Sequence, residues 1–174
     1  MPVLQTLELG DPRLRQPAQP VDQIAAPEIQ ALLGDLWDTL DDFRQRHGWG
    51  RALAAPVVGV ALRVVVLTYE TQRLVLINPR FESWSRTQTV EYERCIAFGS
   101  IWGQVYRPER VVVVAEDAAG AAQRFDVDGE LARLIQHEID HLDGLVWLDR
   151  EPDLATICTA GERARQRTAQ PPTG

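Results

Sequence analysis

The chain has 174 residues, of which 45% are hydrophobic, 25% charged and 7% aromatic, and this composition excludes a disordered or collagen-like protein. A chain of this length forms one domain with its own core and needs no disulfide scaffold. Eighteen basic residues against 25 acidic ones give a formal net charge of −7, which disfavours a nucleic-acid partner.

The N-terminal segment, residues 1–27, is rich in proline, which predicts an irregular, extended arm. It lacks the cationic region and apolar core of a secretory signal, and no apolar run reaches the ~20 residues that cross a bilayer. The two cysteines, Cys95 and Cys158, occur in unrelated contexts, which fits a reducing compartment better than a disulfide. We therefore expect a cytoplasmic protein without a membrane partner.

An amphipathic helix is predicted over residues 28–47. Isoleucine, leucine and phenylalanine recur there at three- and four-residue intervals, and polar residues lie between them. Pro27 suits the start of this helix and Gly48 suits its end.

Strands are predicted after this helix, because runs rich in Val, Ile, Leu and Tyr are bounded by Gly, Pro, Asn and Asp. They cover residues 57–69, 74–77, 87–92, 111–116 and 123–127, and the last two form a hairpin. A second helix is predicted from residue 128 or 129 to 144, with Asp128 as its N-cap and Gly144 as its stop. The order of helix, strands and helix predicts an α+β domain.

The second predicted helix contains the sequence Gln-His-Glu-Ile-Asp-His at residues 136–141. His137 and His141 are four residues apart and therefore lie on one face of the helix, where both can reach one metal ion. Glu138 can accept a proton from a water molecule that the ion has made more acidic. The pattern predicts a hydrolytic metal site.

The alternative interpretation is a surface glutamate beside two unrelated histidines. On a helical wheel, however, Glu138 falls on the buried arc with three apolar residues, Leu131, Ile135 and Leu142. Burying a lone carboxylate is costly, so a glutamate on a core-facing arc favours the metal site.

A third protein ligand is needed, because catalytic zinc sites have three protein ligands and one open position. Zinc proteases with an extended form of the motif place a histidine six residues after the second one, but Trp147 stands there. Cys95, at the end of a predicted strand, is the better candidate. A thiolate with two imidazoles suits zinc or ferrous iron.

Three segments, in chain order, resemble the peptide deformylases. Residues 50–59, Gly-Arg-Ala-Leu-Ala-Ala-Pro-Val-Val-Gly, are similar to the family's Gly-x-Gly-Leu-Ala-Ala-x-Gln segment. Residues 93–97, Glu-Arg-Cys-Ile-Ala, are similar to Glu-Gly-Cys-Leu-Ser, and residues 136–144 match Gln-His-Glu-x-Asp-His-Leu-x-Gly. The likeness spans roughly residues 8–150.

The resemblance implies a peptide deformylase-like α+β fold, with antiparallel strands packed around a central metal-binding helix. It implies one divalent metal ion held by Cys95, His137 and His141, with Glu138 as general base and acid and water as the nucleophile. Fe²⁺ is the metal that the resemblance favours, and Zn²⁺, Ni²⁺ or Co²⁺ could replace it. The backbone N–H of Ile96 would help to polarise the substrate carbonyl.

The reaction that the resemblance implies is hydrolysis of formyl-L-methionyl peptides to formate and methionyl peptides. This is a step of N-terminal processing in protein biosynthesis, and it implies proximity to the ribosome. A single catalytic domain at residues 1–162 and a disordered tail at residues 163–174 are predicted, because the tail has almost nothing to bury.

Residues around the implied substrate cavity depart from the family pattern. Val57 replaces the glutamine whose amide donates to the developing oxyanion, and losing one such donor costs about 10²–10³ in rate. Ala52 and Arg94 replace glycines, Glu130 replaces an apolar wall of the methionine pocket, and Trp102 stands where an arginine is common. Together these departures indicate a different acyl-amine substrate.

Other interpretations stay open at this point. The chain could be a specialised amidase for a non-methionyl N-formyl or N-acyl substrate, or a weakly active metal-binding paralogue. Val57 and Ala52 could merely pack, while Arg94 and Glu130 point to solvent. Asp140, opposite the metal face of the helix, is expected to be either solvated or structural.

Overall fold

Two antiparallel sheets and three α-helices make up the described part of the structure, a computed structural model that describes residues 3–150 and 153–169. The helices are α1 (Pro27–His47), α2 (Gly129–Leu142) and α3 (Ala160–Ala169). The strands are β1 (Ala52–Ala54), β2 (Val64–Tyr69), β3 (Gln72–Trp84), β4 (Gln88–Glu93), β5 (Ile101–Pro108), β6 (Arg110–Glu116), β7 (Ala122–Asp128) and β8 (Cys158–Thr159).

Helix α2 lies between the two sheets. The larger sheet has the strand order β1-β2-β3-β6-β7 and the smaller has the order β4-β5-β8. Helix α2 contacts β1, β2, β6 and β7 of the larger sheet and β5 of the smaller one. The prediction of an α+β fold with antiparallel strands around a central helix is confirmed.

The second half of α2 is buried on every side. Each residue from Ile135 to Leu142 is buried, including the polar residues Gln136, His137, Glu138, Asp140 and His141. Buried polar groups need partners inside the protein, because leaving them unpaired away from water is costly. The polar side chains of α2 therefore meet partners in the core.

The first predicted helix is confirmed by α1, which begins at Pro27 and ends where Gly48 takes a φ of 71°. The N-terminal arm before it crosses the end of α2, where Ala18 N–H donates to the carbonyl of Leu142 over 2.8 Å. The arm is also held by Asn78, whose side chain bonds both backbone polar groups of Val21.

Several strand boundaries differ from the prediction. Residues 57–69 do not form one strand, because Pro56 and Gly59, with a φ of 80°, shape a 3-10 turn at Ala55–Val58. Strand β3 runs seven residues past the predicted end at residue 77, since a bulge accommodates Asn78 with a φ of 52°. Strand β5 was not predicted: its buried positions hold Gly103, Val105 and Arg107, which show no hydrophobic alternation.

The predicted disordered tail must be corrected for residues 163–169, which lie in α3. This helix is anchored where β8 pairs with β5 and where Ala160 N–H donates to the carbonyl of Ser100 over 2.7 Å. Residues 170–174 of the predicted tail lie outside the described residues. In the part of the chain that the structure describes, no helix has the length and apolarity to span a bilayer.

Candidate metal centre

The side chains of Cys95, His137 and His141 meet between the two sheets. Cys95 follows the end of β4, and the two histidines extend from one face of α2. Their ligand atoms all lie within 4.8 Å of one another, and the Cys95 Sγ lies 3.2 Å from His141 Nε2. All three residues are buried. The structure therefore brings together the three residues that the sequence predicted as metal ligands.

His137 is oriented by Glu93, a residue that the sequence reasoning missed. The Nδ1 of His137 lies 2.9 Å from Glu93 Oε2, so an N–H there donates to the carboxylate and leaves Nε2 facing the sulfur side. Carboxylates commonly fix a metal-binding imidazole in this way. The available signal was the position of Glu93 two residues before Cys95, at the end of a strand.

Glu93 and Asp140 belong to a buried ionic cluster centred on Arg107. The Arg107 guanidinium donates to Glu93 at 2.6 and 2.9 Å and to Asp140 at 2.8 Å. Arg133 adds a bond to Glu93 at 2.7 Å, and Arg150 pairs with Asp140. Burial opposes ionisation of Glu93, but hydrogen bonds with His137 and Arg107 hold its pKa far below the ordinary value. Asp140 is thus structural and not solvated.

Replacing Arg107 with leucine is expected to lower the free energy of unfolding by about 3 kcal/mol, because two buried carboxylates lose their shared partner. Arg110→Leu is the control, since Arg110 pairs with Asp126 at the surface, where solvent screens the pair, and its loss should change stability far less than the loss of Arg107. Denaturant unfolding of both variants measures the difference. Equal losses in the two variants would contradict the stabilising role of the buried cluster.

The electrostatic environment of the three candidate ligands favours a positive charge among them, because Cys95 and Glu93 raise the pKa of His137. Burial disfavours protonation of His137, yet contacts with Cys95 and Glu93 raise its pKa well above the ordinary value. Burial lowers the pKa of His141, so its imidazole is neutral, which is the form that coordinates a metal. One sulfur and two imidazole nitrogens form a donor set that fits a divalent cation such as Zn²⁺ or Fe²⁺.

Glu138 lies beside this centre and is 5% exposed. Burial raises its pKa to about 7, against the opposing influence of His137 and of a backbone hydrogen bond from Ala54. A carboxyl group with a pKa near neutrality is suited both to accept and to release a proton. Its position on the buried arc of α2 is the one that the helical wheel predicted.

A cavity of about 810 Å³ opens onto the centre. It is lined by the three candidate ligands, by Glu138 and by each residue predicted to face substrate, namely Ile96, Val57, Ala52, Arg94 and Glu130. Val57 is 1% exposed and Ala52 is 6% exposed, so both pack in the core while they line the cavity. These two residues therefore do both things that were considered for them: they pack in the core and they line the cavity.

Arg94 and Glu130 also have partners instead of pointing freely to solvent. The Arg94 guanidinium lies over the rings of Trp49 and Trp102, while burial and the nearby Arg167 lower its pKa to about 10. Glu130 forms an ion pair of 2.7 Å with Arg51, although 64% of its side chain is exposed. At the position where the family pattern has an apolar wall, this chain thus carries a surface ion pair.

Known proteins are similar to this chain in sequence. Residues 3–156 match the family described as polypeptide deformylase. A peptide deformylase of Dictyoglomus thermophilum is 38% identical over 143 residues, which cover 82% of this chain and 89% of that protein. One of Desulforudis audaxviator is 39% identical over 151 residues, covering 86% of this chain and 94% of that protein.

Solved structures are similar as well. A peptide deformylase from Synechococcus elongatus, in complex with actinonin, has a TM-score of 0.79 and 38% identity over 86% of this chain and 79% of that one. A peptide deformylase from Legionella pneumophila has a TM-score of 0.80 and 30% identity, covering 98% of this chain and 100% of that one.

Proposed function

Because this chain belongs to the peptide deformylase family, we propose that it is a metal-dependent hydrolase that removes the formyl group from N-formylmethionyl peptides. The observation that carries the proposal is the convergence of Cys95, His137 and His141 within 4.8 Å, beside the buried Glu138. The cavity of about 810 Å³ over this group leaves space for the end of a peptide.

One divalent cation would be held by the sulfur of Cys95 and the Nε2 atoms of His137 and His141. When bound, such a cation supplies Lewis-acid polarisation of a carbonyl and lowers the pKa of water. We propose Fe²⁺ as the natural metal on the basis of the family resemblance. Zn²⁺, Ni²⁺ or Co²⁺ could replace it, because one thiolate and two imidazoles accept each of these ions. Glu93 keeps His137 in the required tautomer, since it accepts the Nδ1 hydrogen over 2.9 Å.

Glu138 carries the proton in this scheme. A carboxylate oxygen accepts a proton from water as the new C–O bond forms at the formyl carbon. The same oxygen then delivers that proton to the amide nitrogen as the C–N bond breaks, so that formate and a free amine leave. Glu138 is buried where α2 packs against β1, and this burial limits competition from bulk water for the proton.

A different acyl-amine substrate is the second candidate, and the side chain at position 57 favours it. Val57 is buried in the wall of the cavity and has no N–H or O–H that could donate to an oxyanion. An amidase specialised for a non-methionyl N-formyl or N-acyl compound would use the same proton transfer with another binding surface. A weakly active, metal-binding paralogue is the remaining possibility.

Formate release by the anaerobically purified, Fe²⁺-loaded protein tests the proposal. We expect turnover of formyl-Met-Ala-Ser but not of acetyl-Met-Ala-Ser, because the proposed activity is hydrolysis of a formamide. A protein that binds one metal ion but leaves both peptides intact would contradict deformylase activity. Turnover of another N-formyl compound in the same assay would then support the second candidate.

A cytoplasmic location near the ribosome follows from the proposed substrate and stays a prediction. New polypeptides begin with formyl-methionine, so a deformylase would meet its substrate where these chains emerge. Cosedimentation of the native protein with translating ribosomes measures this. Its presence only in a membrane or exported fraction would contradict the prediction.

A further inference from the structure

Arg94 has no anionic partner among residues 3–150 and 153–169. It lines the cavity and directly precedes Cys95, and its side chain makes no hydrogen bond or ion pair with the described residues. Its contacts are with two indole rings: the guanidinium carbon lies 3.6 Å from the centroid of the Trp49 ring and 4.6 Å from that of Trp102. A cation is thus held in place beside the candidate metal centre, and none of the described residues supplies its counter-charge.

The carboxylates around the cavity do not neutralise this cation. Glu93 is bonded to Arg107, Arg133 and His137, and Glu130 is paired with Arg51. The exposed Glu91 of β4 and the buried Glu138 also line the cavity, but neither forms an ion pair with Arg94.

A second arginine strengthens the positive potential at this position. Arg167, an exposed residue of α3, is close enough to Arg94 to repel it electrostatically. An arginine stays protonated at physiological pH, so the two charges persist. A bound anion would relieve the repulsion.

The contacts with tryptophan leave the hydrogen-bonding edge of Arg94 available. An indole ring contacts the flat face of a guanidinium, whereas the N–H donors point outwards in the plane of the group. A carboxylate binds that edge through two parallel hydrogen bonds. Because the rings already orient the side chain, little further conformational entropy is lost on binding.

We propose that Arg94 binds a carboxylate of the substrate, so that the chain prefers N-formyl substrates that carry an acidic group close to the formyl end. This inference rests on the proposed function and names its substrate class. The formyl group must lie at Cys95, His137 and His141, and Arg94 is the chain neighbour of Cys95. An extended peptide advances ~3.3–3.6 Å per residue, so the test peptides below carry the acidic group on the second or third residue.

Peptides that differ in one charge test this assignment in the metal-loaded protein. Formyl-Met-Glu-Ser-amide and formyl-Met-Gln-Ser-amide have nearly the same shape, and their comparison isolates an acidic side chain. Formyl-Met-Gln-Ser with a free C-terminus tests the other source of a carboxylate. We expect kcat/KM to be at least about tenfold higher for the Glu peptide or the free acid than for the neutral amide, mainly through KM.

Variants connect the preference to Arg94. In Arg94→Gln the ratio of kcat/KM for the acidic and neutral peptides should fall to about one, and in Arg94→Glu it should invert, as expected for a charge-assisted contact. Arg86→Gln, which removes the same charge from an exposed position outside the cavity, should retain the wild-type ratio. A wild-type ratio near one, or an equal ratio in Arg94→Gln, would overturn the inference.

A binding measurement separates this inference from the proposed function. Tryptophan fluorescence, to which Trp49 and Trp102 beside Arg94 contribute, can report binding of the formyl-free peptides Met-Glu-Ser-amide and Met-Gln-Ser-amide, which need no turnover. Tighter binding of the Glu peptide to wild type, but not to Arg94→Gln, would support the inference even if no formyl peptide were hydrolysed. Hydrolysis of all formyl peptides without any charge preference would overturn the inference and leave the proposed function standing.

Discussion

Glu138→Gln is expected to reduce kcat/KM for formyl-methionyl peptides by about 10²–10⁴, the range typical of a lost general acid or base. Glutamine keeps the size of the side chain but cannot accept a proton from water at neutral pH. The bound metal should remain, because Glu138 is not among the three ligand residues that converge. Formate release and metal content measured on one preparation check both expectations.

Glu109→Gln is the matched control for Glu138→Gln, since Glu109 is exposed and lies outside the lining of the cavity. It should keep wild-type activity. If Glu138→Gln retained more than about a tenth of the activity while still binding metal, Glu138 would not be the group that carries the proton. If it lost the metal as well, the experiment would instead place Glu138 among the ligands.

Val57→Gln is expected to raise kcat for formyl-methionyl peptides by about 10²–10³, the effect of one added oxyanion donor. Val57 lines the cavity from the turn after β1, so an amide placed there would extend toward the candidate metal centre. The increase should appear in kcat more than in KM, because the donor acts on charge that develops in the transition state. Steady-state formate release measures the two constants.

Val57→Met separates the amide from the added volume, because methionine is similar in length to glutamine and has no N–H donor. It should not increase kcat. Thermal unfolding of both variants checks whether the buried site accepts the larger side chain, since overpacking a core typically costs about 1–3 kcal/mol. An equal gain in both variants, or no gain in a stable Val57→Gln, would show that an oxyanion donor is not what position 57 lacks. It would then favour a substrate other than formyl-methionyl peptides.

The sequence predicted the candidate centre well because its signals are local. His137, Glu138 and His141 belong to one helical turn, and helical geometry fixes which of their side chains share a face. Predicting Cys95 required more than local geometry, since only the need for a third ligand and a family resemblance indicated it. The structure places its sulfur 3.2 Å from His141 Nε2 across a separation of 46 residues.

The groups that support the centre were not predictable in the same way. Glu93, Arg107 and Asp140 come from three different elements, and a charged residue in a sequence usually indicates a solvated surface. Their burial depends on how β4, β5 and α2 pack, which no short window of sequence contains. Strand β5 was not predicted for the same reason, because the buried Arg107 interrupts the alternation of apolar and polar residues that predicts a strand.

X-ray absorption at the metal edge of the Fe²⁺-loaded protein tests the central claim most directly, namely that Cys95, His137 and His141 together hold one catalytic cation. It should detect one sulfur and two imidazole nitrogens among the ligands of the metal, metal analysis of the same sample should give one ion per chain, and Cys95→Ser should lose the sulfur signal. A metal environment without sulfur, or one that is the same in Cys95→Ser, would contradict the claim.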